Sequence, residues 1–125
     1  MTENEIATII VDAAYKIHTR LGPGLFESVY EATLAYELSK RGLRLRRQQS
    51  MPVVYEAVRM DVGFRADMIV EGKVIIEIKS IDAIPPAHRK QRLTYLRSTD
   101  KRLGLLINFN VEFIKDGITR VENNL

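Results

Sequence analysis

A single α/β (α+β) domain, its central mixed sheet containing an antiparallel meander flanked by helices, is the fold predicted here, and three observations predict it. Two segments of helical periodicity open the chain and are punctuated by Gly22-Pro23-Gly24 and by Gly42. Between Met51 and Ser80, β-branched and apolar runs alternate with short turns, the pattern of paired strands. A helical segment opened by Pro85-Pro86 then leads to the apolar run from Leu103 to Asn108, and strand–helix–strand order lays the two strands parallel.

Each element has its own signals. Thr2 with Glu5 three residues on has the form of a capping box, and Ile6, Ile9 or Ile10, Ala13, Ile17 and Leu21 recur at helical spacing, so the first helix spans about Glu3 to Arg20. A second helix starts near Leu25 or Phe26, presents Phe26, Val29 or Tyr30, Leu34 and Leu38, and stops at Gly42, a suitable left-handed cap. Leu43 to Gln49 reads as basic and extended, leading into Met51-Pro52-Val53-Val54-Tyr55; a turn near Glu56-Ala57 returns the chain through a strand in which Gly63 marks a bend or bulge. Pro86 suits the first turn of the third helix, which carries His88, Gln91, Arg92 and Tyr95 on one polar face, with Leu93 and Leu96 toward the core. Phe113 to Val121 is expected to form a terminal hairpin around Asp116-Gly117, and residues 122–125 a frayed tail.

Length and composition bound the function. With 125 residues, 46% of them hydrophobic, one compact domain over 1–125 can bury a core without staples. The absence of cysteine excludes disulfides, a thiolate zinc site and a cysteine nucleophile. The acidic N-terminus lacks the features of a secretory signal and no apolar run reaches the length of a membrane span, so a cytoplasmic, non-membrane protein is expected. The net charge of +3 is a mild bias that permits nucleic acid without demanding it. Basic residues cluster at Lys40, Arg41, Arg44, Arg46 and Arg47, and again from Arg89, Lys90 and Arg92 to Arg102; a solvated face is the usual fate of such runs.

The chemistry concentrates between Phe64 and Ser80, two strands joined by a turn at Glu71-Gly72-Lys73. Alternation puts Glu77 and Lys79 on one face and Ile76 and Ile78 on the other, while Asp67 falls opposite Ile76 or Glu77. Two adjacent carboxylates repel, and a divalent cation with oxygen ligands, Mg²⁺ or Mn²⁺, would resolve the repulsion. A solvated face with a Glu–Lys ion pair is the alternative on spacing alone. Glu27 and Glu31 lie one helical turn apart with Tyr30 beside them; Glu27 also suits the first turn of a helix, and Tyr30 suits a packing role with its hydroxyl bonded locally.

These residues carry a resemblance. Asp67 followed by Glu77-Ile78-Lys79 resembles the D…E-x-K signature of the PD-(D/E)XK nuclease superfamily, and Gly24-Leu25-Phe26-Glu27-Ser28-Val29-Tyr30 matches the G-x-x-E-x-x-Y motif of its GxxExxY branch. Pro52-Val53-Val54-Tyr55, His88 with Gln91 and Tyr95-Leu96, and Gly104 to Asn110 extend the likeness over nearly the whole chain. The resemblance implies a restriction-endonuclease-like α-β-β-β-α-β core and metal-dependent phosphodiester hydrolysis. Asp67 and Glu77, helped by Glu27, would hold Mg²⁺ or Mn²⁺; Lys79 would position or deprotonate the attacking water; Gln91 would orient that water or the substrate. Glu31, Tyr30, His88 and Tyr95 are further candidates, His88 being more often a surface or capping residue when no second histidine is near. Lys90 stands where a small residue is expected before Gln91. Arg46, Arg47, Arg89, Lys90 and Arg92 would bind the phosphates of DNA or RNA. The alternative is a nuclease-like module that binds nucleic acid or protein without cutting. An edge strand near Val53 or Ile118 offers a surface for a homodimer.

Overall fold

The computed structural model describes residues 1–125, the side chain of Val62 excepted. Two helices, α1 (Glu3–Leu21) and α2 (Glu27–Lys40), precede the strands β1 (Leu45–Tyr55), β2 (Val58–Val70) and β3 (Val74–Lys79); α3 (Pro86–Ser98), β4 (Leu103–Asn108) and β5 (Ile118–Glu122) follow. The strands form one five-stranded sheet in chain order. β1, β2 and β3 are the antiparallel meander, β4 runs parallel to β3, and β5 returns antiparallel to β4. The restriction-endonuclease-like arrangement expected from the sequence is therefore the one found.

Local sequence explains the elements. Thr2 and Glu5 complete the capping box of α1 reciprocally. Gly22, Gly24 and Gly42 all have positive φ, and they end α1, begin the connection and follow α2. Ile6, Ile10, Ala13 and Ile17 of α1 and Leu34 and Leu38 of α2 pack with Met68, Ile76, Ile78, Leu105 and Ile107 on one sheet face. On the other face Leu96 of α3 closes over Ala66, Ile69, Ile75 and Val121. β3 is consequently covered on both sides, as its unbroken apolar run requires. Among the described residues no helix is long and apolar enough to cross a membrane.

The meander is uneven, and the unevenness matters for the site. β1 and β2 stay paired from Leu45–Val70 out to Tyr55–Val58, with an irregularity between Met51 and Val53 that faces Gly63, whose missing Cβ leaves room for the Met51 carbonyl. β2 and β3 pair only over Met68–Ile76, Ile69–Ile75 and Val70–Val74. Beyond Met68 the sheet forks, and the β1–β2 ribbon leaves β3 behind.

Two expectations fail at the C-terminal end. Residues 113–121 form no hairpin: Ile114–Gly117 is a short 3-10 helix, and β5 pairs with β4. Ile114 is buried in the core, which pulls the segment inward, and Asp116-Gly117 turns within that helix. Nor is the tail frayed. Asn123 N–H donates to the Arg102 carbonyl at 2.9 Å, and the Arg102 guanidinium donates to the Asn124 carbonyl at 2.7 Å. Phe26, expected on the apolar face of α2, is 82% exposed.

Candidate active site

Asp67 is the first β2 residue beyond the fork. Extending the register of Met68–Ile76 by one step sets it against Glu77, and its Oδ2 accepts the Ile78 N–H at 2.8 Å. A side-chain oxygen thus stands in for the ladder hydrogen bond that β2 gives up as it departs. Glu77 lies on the α3 side of β3, 5% exposed, with Ile75 below it in the core and Lys79 following on the same face. Lys79, half-buried, ends the strand and is aligned with Asn108 of β4.

Burial pushes the Glu77 carboxyl up from the ordinary range to about 8, and the neighbouring Asp67 charge and a hydrogen bond to Asp67 act in the same direction. Arg92 and Lys79 pull it the other way without prevailing. The Arg92 guanidinium stands 3.6 Å from Glu77 Oε1, too far for a hydrogen bond, and both Glu77 Oε1 and Arg92 Nε are buried without a hydrogen-bond partner. A buried carboxylate oxygen with nothing to bind, next to a second carboxylate, is a donor set suited to a hard cation such as Mg²⁺ or Mn²⁺.

Around this pair the expected residues divide. Glu27 does not join it: among the described residues no group of three or more His, Cys, Asp or Glu gathers closely enough to hold a metal ion. Exposed at the start of α2, Glu27 instead accepts the Ser80 N–H at 3.3 Å, while Ser80 Oγ donates to the Leu25 carbonyl at 2.6 Å. Those bonds fasten the α1–α2 connection to the end of β3. Tyr30 serves the same joint from inside the core, donating to the Gly22 carbonyl at 2.6 Å, accepting from Leu25 N–H at 3.2 Å and stacking on Phe109 with centroids 4.4 Å apart. Its hydroxyl is occupied structurally, as its packing alternative requires.

Helix α3 turns the expected polar face inward at Arg92 and Tyr95, and departs from expectation at Gln91. The side chain that reaches Glu77 is Arg92; Gln91, on the flank about 100° away, is exposed. Tyr95 stacks on Phe64 with centroids 3.9 Å apart, and His88 Nδ1 is buried without a partner. Of the residues assigned to phosphate binding, Arg46, Arg47, Arg89 and Lys90 are exposed, Arg47 also donating from Nε to Glu31 Oε2 at 3.0 Å, and Arg92 is largely buried. Arg46 lines an open groove with Arg44 and Lys101 beside the β2–β3 turn.

Three contributors went unnoticed in the sequence. Gln48 donates to Glu31 Oε1 at 2.6 Å and lies 3.4 Å from Asp67 Oδ1. Ser80 ties the helical joint to β3, and buried Asn108 brackets the chain leaving it, accepting from Ile81 N–H and donating to the Ile81 carbonyl at 2.8 Å. Only the last had a signal, an amide closing an apolar strand.

A family model described as the PD-(D/E)XK nuclease superfamily matches residues 4–121. No curated protein matches the chain. Among solved structures, the crystal structure of an alkaline exonuclease from Laribacter hongkongensis superposes with a TM-score of 0.50 at 14% identity, over 99% of this chain and 73% of that one, a likeness of fold.

Proposed function

Since this chain belongs to the PD-(D/E)XK nuclease superfamily, we propose that it is a divalent-metal-dependent nuclease that hydrolyses phosphodiester bonds of DNA or RNA. One observation carries the reading: the fork brings Asp67 beside a buried Glu77 whose Oε1 has no hydrogen-bond partner, with Lys79 on the same face. The Gly24–Tyr30 motif supports placement in the GxxExxY branch.

Asp67 and Glu77 would hold Mg²⁺ or Mn²⁺, the remaining positions falling to water and to the substrate. When bound, the cation would polarise the scissile phosphate and acidify water. Lys79 would hold the attacking water as an ammonium and offset charge developing on the phosphate, or, when unprotonated, would take the water's proton. Arg92 balances Glu77 from the α3 side. Exposed Arg46, Arg89 and Lys90 meet the backbone phosphates. A cytoplasmic setting suits the cysteine-free chain, and pairing of two copies through the edge strands β1 or β5 would serve cutting of both strands of a duplex.

The test is direct. With Mg²⁺ or Mn²⁺ the purified protein is expected to nick or degrade DNA or RNA, and Lys79→Ala and Asp67→Asn are each expected to abolish this with the circular dichroism unchanged. Undiminished cleavage by both variants would overturn the assignment. A second reading is a module that binds nucleic acid without cutting, which exposed Arg46, Arg89 and Lys90 would serve equally well. That module would bind in a strongly salt-dependent manner, indifferent to Glu77→Gln, and show no Mn²⁺ heat by calorimetry.

A further inference from the structure

Resting on the nuclease reading, we propose that Gln48 is a positioning residue, an amide clamp that takes its purchase on Glu31 and orients Asp67 for the metal. The backbone first marks it. Among the described residues five other than glycine have positive φ; Glu56 and Glu71 lie in the hairpin turns, Asp100 follows α3, and Asn124 is in the terminal segment. Gln48, at φ 50, is the one inside a strand, between Arg47 and Gln49, which keep regular partners in β2. A left-handed residue within a strand is strained, and such strain concentrates where function requires it. Burial does not repay it here, because Gln48 is exposed.

What the strained backbone achieves is a side chain turned to two acids. The Nε2 amide is 2.6 Å from Glu31 Oε1 and 3.4 Å from Asp67 Oδ1. Ionised carboxylates only accept, and an NH₂ group has two hydrogens, so one is available for each acid. Glu31, buried and bonded to Arg47 Nε at 3.0 Å, is the fixed end. Asp67 is the end to be oriented: Ile78 N–H holds Oδ2 and the Gln48 amide holds Oδ1, which fixes the carboxylate plane next to Glu77. Partners of this kind orient a metal's ligands and tune its affinity. Glu31 thereby acts through Gln48, at one remove from the metal.

Gln48→Gly separates the clamp from the fold, because glycine adopts positive φ freely. The variant is expected to melt no lower than Gln48→Ala, while its Mn²⁺ affinity by calorimetry and its kcat fall roughly tenfold or more with KM little changed. In the metal-free wild type, the Gln48 side-chain amide protons are expected to be slow to exchange by NMR, and fast in Glu31→Gln. If wild type binds Mn²⁺ and Gln48→Gly binds it equally well, the clamp is overturned and the nuclease reading stands. If wild type binds no Mn²⁺, both fall. Amide protons that exchange fast in wild type also overturn the clamp, whatever the metal does.

Discussion

With a side chain almost wholly buried beside Asp67, Glu77 keeps its proton to about pH 8, where an exposed glutamate would have lost it near 4.5. The folded protein thus binds a proton that the unfolded chain releases, and the sign follows: stability is full below about pH 4.5 and declines as pH rises toward 8. The loss is expected to reach a few kcal/mol at most. Urea midpoints in chelator should fall between pH 5 and 8.5, and Glu77→Gln should flatten that slope. Divalent-ion uptake requires the ionised form, so apparent Mn²⁺ affinity should rise with pH over the same interval, with proton release visible by calorimetry in buffers of different ionisation heat. Tyr30→Phe tests the joint on the opposite sheet face: removing the hydroxyl leaves the Gly22 carbonyl and the Leu25 N–H without their partner and should cost about 1–3 kcal/mol by urea melt. At this scale the placement of Asp67 against Glu77, with Lys79 on the same face, was legible because period-2 alternation is local. Gln48 and Arg92 were not, because their roles depend on a left-handed residue inside β1 and on which way α3 is rotated, and neither is written in periodicity.

The helices, the meander and the parallel β4 were legible wherever a boundary signal coincided with a period, as Thr2–Glu5 and Gly42 do. Asp116-Gly117 misled because turn chemistry is permissive: burial of Ile114 sets the path, and the dipeptide bends within a 3-10 helix. Gly117 is required there for another reason. A Cβ on it would run into the Asn108 carbonyl, with Val111 Cγ2 only 3.0 Å away. Gly117→Ala should therefore displace Asn108 from its bonds to Ile81, lower the melting temperature by several degrees and, through the chain that leaves Lys79, reduce cleavage; thermal melts and an activity assay would register both.

Over the whole molecule, the net charge of +3 understates the local basicity of exposed Arg46, Arg89 and Lys90. Replacing Arg89 and Lys90 together by alanine should weaken nucleic-acid binding across sequences and reduce the slope of log affinity against log salt by about 1–2, measured by fluorescence anisotropy. The composition disclosed the charge but not its layout, since the meeting of α3 with the sheet buries Arg92 and leaves its neighbours outside.

The forked sheet has a mechanical corollary. One acid rides the limb that swings away and the other stays with the trunk, so the gap between them is set by how far the β1–β2 ribbon is splayed. That ribbon is long, braced by a third strand only near its base, and ends in exposed Val54, Tyr55 and Val58. A load on that tip would be felt first at the tie between limb and trunk, the Ile78 N–H donated to Asp67.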